Sequence, residues 1–185
     1  MNYLVTGLIC SGKSTFLQIA QKHNFEIIKS DDIVSDLYND KTIIYKIKEY
    51  LNIHNNQNKL KERVREFFFE SKKNREIIEA IFHPTVHEII LNKFRSGNNM
   101  MIELPPITSN YNLFKKYSSV YIFASDQVRI TRFNKRKIND ENYFNKINAM
   151  QDHHELIKES CNIVIDNNSD IDSLNKYFGT SIIES

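Results

Sequence analysis

The sequence predicts an α/β protein, a three-layer fold with a five-stranded parallel sheet and helices on both faces. Two observations predict it. Short apolar runs that suit buried strands recur at Tyr3–Val5, Phe25–Ile28, Met100–Leu104, Val120–Phe123 and Ile163–Ile165, with helical patterns between them. Strands that alternate with helices build right-handed crossovers and a sheet covered on both sides. The second observation lies directly after the first run: Gly7 to Ser14 fit G-x-x-x-x-G-K-[ST] at every fixed position.

The first strand, Tyr3–Val5, leads through that loop into a helix over Ser14–His23, with Phe16, Leu17, Ile19 and Ala20 on its apolar side. Strand, loop and helix in this order are the context the motif requires. There the backbone N–H groups form an anion nest, and the positive end of the helix dipole points at it. Lys13 then reaches the β- and γ-phosphates of a nucleotide, and the Ser14 hydroxyl holds Mg2+. Gly7, Cys10, Ser11, Gly12, Lys13, Ser14 and Thr15 are the candidate ATP site. A glycine-rich turn without a ligand is the plainer alternative.

Asp31 and Asp32 follow the second strand, Phe25–Ile28. Open α/β sheets bind ligands at the C-terminal ends of their strands. A carboxylate there accepts the proton of an attacking hydroxyl or helps orient Mg2+. Ser30-Asp31-Asp32 is equally ordinary capping chemistry before a helix, and spacing does not choose between the two.

No strand pattern interrupts the interval from Asp31 to Asn99. It reads as helices over Asp32–Tyr38, Thr42–Leu51, Leu60–Lys72 and Asn74–Phe94, with a polar connection at Asn52–Asn58. One crossover thus carries an all-helical insertion, residues 32–98, suited to covering a substrate. Pro84 inside its last helix implies a helix start or kink just after His83, and His83 by itself reads as structural.

After the third and fourth strands, a helical region over Gln127–Glu159 opens with Arg129, Arg132, Lys135, Arg136 and Lys137. Arg129, Arg132 and Arg136 stand at i, i+3 and i+7 and share a face. A mobile arginine helix supplies the positive charge that phosphoryl transfer needs, so about 127–151 is the expected lid. A solvated basic face is the ordinary alternative.

The bulk properties narrow the partners. The 185 residues suit one domain, 1–185, with the insertion and lid inside it. The net charge of 25 − 23 = +2 gives no argument for nucleic acid or an anionic membrane, and no apolar run approaches a membrane span. The first strand starts at Tyr3, leaving no room for a signal peptide. Cys10 and Cys161 make neither a disulfide framework nor a zinc site, so a reducing cytoplasm is expected. Beside Lys13, Cys10 reads as an oxidant-sensitive thiol rather than a nucleophile. His87, His153 and His154 show no metal-ligand spacing.

The ordered motifs resemble the dephospho-coenzyme A kinase family over most of the chain. Thr6-Gly7-x-Ile9-x-Ser11-Gly12-Lys13-Ser14-Thr15 is similar to its T-G-G-I-G-S-G-K-S-T, and Ile28–Ile33 sits where it has I-D-A-D. Leu60–Val64 resembles its L-R-x-x-V/I, and His83-Pro84-x-Val86 matches H-P-x-V. Ile102–Pro105 resembles the strand ending in D-x-P-L-L, and Arg132 and Arg136 fall on R-x-x-x-R. Gln151 matches the glutamine after the lid, and Asn162–Asn167 resembles A-D-x-V-I-D-N.

The resemblance implies a P-loop kinase fold and ATP-dependent phosphorylation of the ribose 3′-hydroxyl of dephospho-coenzyme A, the last step of coenzyme A biosynthesis. It implies Asp31 as the carboxylate at that hydroxyl, Arg63 and His83 at the coenzyme site, and Arg132 and Arg136 as lid arginines. The chain departs from the pattern at Leu8, Cys10, Lys29 and Asn162, and it lacks the acidic residue after Pro105. A leucine at position 8 is expected to restrict the loop more than glycine. Phosphorylation of another small acceptor (a nucleoside, nucleotide or shikimate-like molecule) and nucleotide binding without transfer are the competing readings.

Overall fold

The structure is a computed structural model that describes residues 1–52, 59–136, 141–151 and 153–184. Most of the Asn52–Asn58 connection, and Lys137, therefore lie outside the described residues. The chain divides into two compact units, Met1–Lys29 with Gly97–Ser185, and Ser30–Ser96.

The first unit is built on one sheet. Its strands are β1 (Asn2–Thr6), β2 (Glu26–Lys29), β3 (Met100–Glu103), β4 (Ser119–Phe123) and β5 (Ile163–Asp166). They lie in the order β2-β3-β1-β4-β5, with each neighbouring pair parallel. All five expected apolar runs became strands. Tyr3, Val5, Met101, Val120, Ile122 and Ile165 point to one face, as residues of alternate parity must. There they meet Phe16, Leu17, Ile19 and Ala20 of α1 (Lys13–Lys22) and Leu174 and Phe178 of α10 (Ile171–Phe178). Phe178 fixes this core: its ring lies 5.3 Å from Phe16 and 6.0 Å from Phe25, edge-on to both.

Leu4, Ile102 and Tyr121 occupy the other parity and are also buried. On that side the Ser119 hydroxyl donates to the carbonyl of Phe114 in α6 (Tyr111–Lys116), and α6 packs on α9 (His154–Ser160). The sheet thus has helices on both faces. The expected helical region over Gln127–Glu159 contains α7 (Asp126–Lys135), α8 (Glu141–Met150) and α9.

The second unit contains α2 (Ser30–Leu37), α3 (Lys41–Leu51), α4 (Leu60–Glu70) and α5 (Lys72–Ser96). The Asp40 carboxylate caps α3 by accepting from the N–H groups of Thr42 and Ile43. Ile78, Phe82, Val86 and Ile90 form the buried stripe of α5, against which the other three helices pack. No helix starts after His83; α5 is helical on both sides of Pro84. Phe82 and Val86 straddle the proline in the stripe, and their burial holds the helix across the missing N–H.

Removing the Phe178 ring leaves a cavity between α1, α10 and the sheet. Phe178→Ala is expected to cost about 3–5 kcal/mol of stability, read from the urea unfolding midpoint. A loss below about 1 kcal/mol would show that the aromatic cluster does not hold this face together.

Candidate active site

The site grows from the end of β1. Gly7 follows Thr6 with φ 147°, and a Cβ there would overlap the carbonyl oxygen of Ile122 on β4. Gly12 has φ 102°, caps the N-terminus of α1, and would drive a Cβ into the Asn167 side-chain amide. Both positions therefore need glycine for conformation and for space.

Leu8 is buried and is not among the positive-φ residues; the strained residue is Cys10, at φ 61°. The other non-glycine residues described with positive φ are Asn24, Asn52 and Asn99, and asparagine tolerates this region. A cysteine there costs roughly 1–2 kcal/mol. Its thiol packs beside Phe133 of α7 and Phe144 of α8 and is 5% exposed. The expected oxidant-sensitive thiol is therefore shielded from solvent.

Side chains grip the loop's carbonyls. Lys13 Nζ donates to Gly7 O at 2.9 Å and Leu8 O at 3.1 Å, and stands 4.0 Å from the Glu103 carboxylate at the end of β3. Arg132 donates to Ser11 O at 3.1 Å and to Asn167 O at 2.8 Å. The Asn167 amide also donates to Ser11 O, at 2.7 Å. Arg129 donates to Ile9 O, and the Ile9 N–H donates to Gln151 Oε1.

Helix α7 ends at Lys135, and Arg136, its exposed C-cap, stands close enough to Arg132 for the two charges to repel. Arg129 is 1% exposed and points inward. Lys13, Ser14 and Thr15 form the first turn of α1, with Ser14 exposed.

In the helical unit, Asp31 is exposed in the first turn of α2, and Arg63 is exposed on α4. His83 is half-buried on α5, its ring parallel to that of His87 at 5.5 Å. Burial, reinforced by His87, pushes His83 from 6.5 down to about 4, so its imidazole is neutral at physiological pH.

Sequence reasoning missed Glu103 as a carboxylate beside Lys13, and Asn167 as a support for the loop. A signal for Glu103 was present: it closes a strand, where open sheets place ligands, as Asp31 nearly does. Among the described residues, no group of three or more His, Cys, Asp or Glu side chains could hold a metal. The Ser14 hydroxyl and Glu103 carboxylate are hard oxygen donors, a small set that fits Mg2+ shared with substrate phosphates. No helix among the described residues is long and apolar enough to cross a membrane.

Two outcomes are expected. Gly12→Ala should weaken nucleotide binding by more than about tenfold in calorimetry, and unchanged affinity would show that the loop tolerates the extra carbon. Unfolded His83 takes a proton near 6.5 but the folded residue only near 4. The unfolded state then binds more protons in that window, so stability is full above it and falls as pH drops from 6.5 toward 4. His83→Gln should flatten this acid limb in thermal melts; an unchanged limb assigns it to other groups.

The dephospho-CoA kinase family model matches residues 3–173. The chain is 28% identical to the dephospho-CoA kinase of Fusobacterium nucleatum over 178 residues, which span 93% of this chain and 92% of that protein. The dephospho-CoA kinase structure from Campylobacter jejuni superposes with a TM-score of 0.69 at 20% identity, covering 99% of this chain and 96% of the other. A Thermus thermophilus crystal structure superposes with a TM-score of 0.78 at 15% identity, covering 100% and 97%. At these identities the two structures speak for the fold: a five-stranded parallel sheet with a phosphate loop at the end of its central strand. The sequence match spans that loop, the helical unit and the strand before Asn167, and the chain belongs to the dephospho-CoA kinase family.

Proposed function

We propose that this protein transfers the γ-phosphoryl group of ATP to the ribose 3′-hydroxyl of dephospho-coenzyme A, giving coenzyme A and ADP. The observation that carries this reading is a phosphate loop with Lys13, Glu103 and Arg132 gathered around it, in a chain of this family. The loop N–H groups and the N-terminus of α1 take the phosphate oxygens. Lys13 exchanges the carbonyls of Gly7 and Leu8 for those oxygens, and Arg132 lies where its charge opposes the charge that develops in transfer. Ser14 and Glu103 would hold Mg2+, which when bound neutralises phosphate charge.

Asp31 accepts the proton of the 3′-hydroxyl as the new O–P bond forms and the bond to the ADP oxygen breaks. The insertion, residues 32–98, binds the coenzyme through Arg63 and His83, the latter as a neutral hydrogen-bonding group. Arg136 belongs to the lid over about 127–151 and closes on the phosphates. Two free cysteines, one of them buried, suit a reducing cytoplasm.

The test is turnover of dephospho-coenzyme A by purified protein with Mg2+ and ATP, beside nucleosides, nucleotides and shikimate as competing acceptors. Lys13→Ala and Asp31→Asn should each lower kcat by about a hundredfold or more. Two folded variants at wild-type rates would remove the mechanism. Faster turnover of another acceptor would change the substrate. ATP binding without any product would mark a nucleotide-binding protein.

A further inference from the structure

Arg129 is the largest fully buried side chain among the described residues, and it does not use its charge where a substrate could reach it. Its Nη1 donates to Ile9 O at 3.2 Å and to Asn148 Oδ1 at 2.9 Å; its Nη2 donates to Asp126 Oδ1 at 2.8 Å. The guanidinium lies 5.6 Å above the centre of the Phe144 ring. Asp126 is 81% exposed, and a pair with so exposed a carboxylate contributes little to stability. Burying a guanidinium is expensive, so the contacts that define this position are those in the interior.

Those contacts converge on one residue. The Ile9 carbonyl is held by Arg129, and the Ile9 N–H is held at 3.0 Å by Gln151 Oε1. The next residue is Cys10, left-handed at φ 61° and packed against Phe133 and Phe144. Glycine adopts that conformation without help, whereas cysteine returns to the right-handed or extended regions unless its surroundings forbid it.

We propose that Arg129 is a positioning residue for nucleotide binding: with Asn148 and Gln151 it clamps Ile9, and so holds the phosphate loop in the conformation that Cys10 disfavours. The proposal rests on the loop being the ATP site of the kinase reading. It also makes α7 and the end of α8 the fixed base of the proposed lid, which leaves Arg136, beyond the end of α7, to close on the phosphates. Lysine is no substitute, because one ammonium cannot hold Ile9 O and Asn148 Oδ1 from one nitrogen and Asp126 Oδ1 from another, as the planar guanidinium does.

The experiment is calorimetric titration of the full chain with Mg-ATP, beside steady-state kinetics with dephospho-coenzyme A. Arg129→Met should raise the Kd for ATP by about tenfold or more, with the KM for dephospho-coenzyme A unchanged. A purely structural residue would lower the Tm but leave the affinity of the folded protein intact. Cys10→Gly added to Arg129→Met should recover most of the lost affinity, because glycine needs no clamp. Arg129→Met with wild-type ATP affinity, or a double variant as weak as Arg129→Met, overturns the proposal. Should Arg129→Met fail to fold, Asn148→Ala removes one partner of the fork and should raise the Kd about threefold; no change there overturns it equally. ATP titration needs no acceptor, so a wild-type protein that binds ATP without turning over dephospho-coenzyme A refutes the kinase reading and leaves the clamp to be judged on affinity.

Discussion

A peptide plane that turns its carbonyl one way turns the next residue's N–H the other way. The phosphate loop depends on this constraint. The carbonyls of Gly7 and Leu8 accept from Lys13, that of Ile9 from Arg129, and that of Ser11 from Arg132 and Asn167. Each captured carbonyl fixes the direction of the N–H group that follows it. An anion nest needs fixed N–H directions, and these side chains supply them from behind. The cations around the loop therefore do two jobs. Lys13 and Arg132 can trade a carbonyl for a phosphate oxygen, whereas Arg129 is too buried to do so and remains a fixture.

The sheet determines which side chains are available for this. In a parallel sheet all strand C-termini lie along one edge. With β1 in the middle, the ends of β3 and β4 flank the loop: Val5 pairs with Glu103, and Thr6 pairs with Tyr121. Glu103 thereby meets Lys13, and the Ile122 carbonyl crowds Gly7. Strand β5 lies one place further out, and its exit carries Asn167, whose N–H donates to Phe123 O and whose side chain reaches Ser11. Strand order thus places three separate segments around six loop residues.

The strands were legible because a strand buried on both faces is apolar throughout, and Tyr3–Val5 and Val120–Phe123 show that plainly. The loop was legible because its glycines and lysine have fixed chemical duties. Short helices such as α6 and α10 carried too few turns for a periodic signal. In the basic face over 129–136, the burial of Arg129 was not legible for a physical reason. Helical spacing gives the angle of a side chain about its axis but not what stands opposite, and the partner of Arg129 is a backbone carbonyl that no side-chain pattern announces. At Pro84 local preference offered a helix start or a kink; α5 runs through the proline, flanked in the buried stripe by Phe82 and Val86.

The departures from the family pattern separate by what they change. Asn162 stands where that pattern has aspartate, yet its Oδ1 accepts from the Ser119 N–H at 2.9 Å, and a neutral acceptor serves there. After Pro105 the acid is missing, and nearby Asn110, 2% exposed, donates its side-chain amide to the Pro105 carbonyl. The change at Asn162 is a local exchange of one polar group for another. Cys10 differs in kind, because a side chain in place of glycine changes which backbone conformations are cheap. No single neighbour can offset that. It takes an apolar slot for the thiol between Phe133 and Phe144, and fixed partners for Ile9 just before it. The slot and the partners come from the same two helices and the turn that follows them, so one non-glycine residue in the loop links nucleotide binding to the packing of α7 against α8.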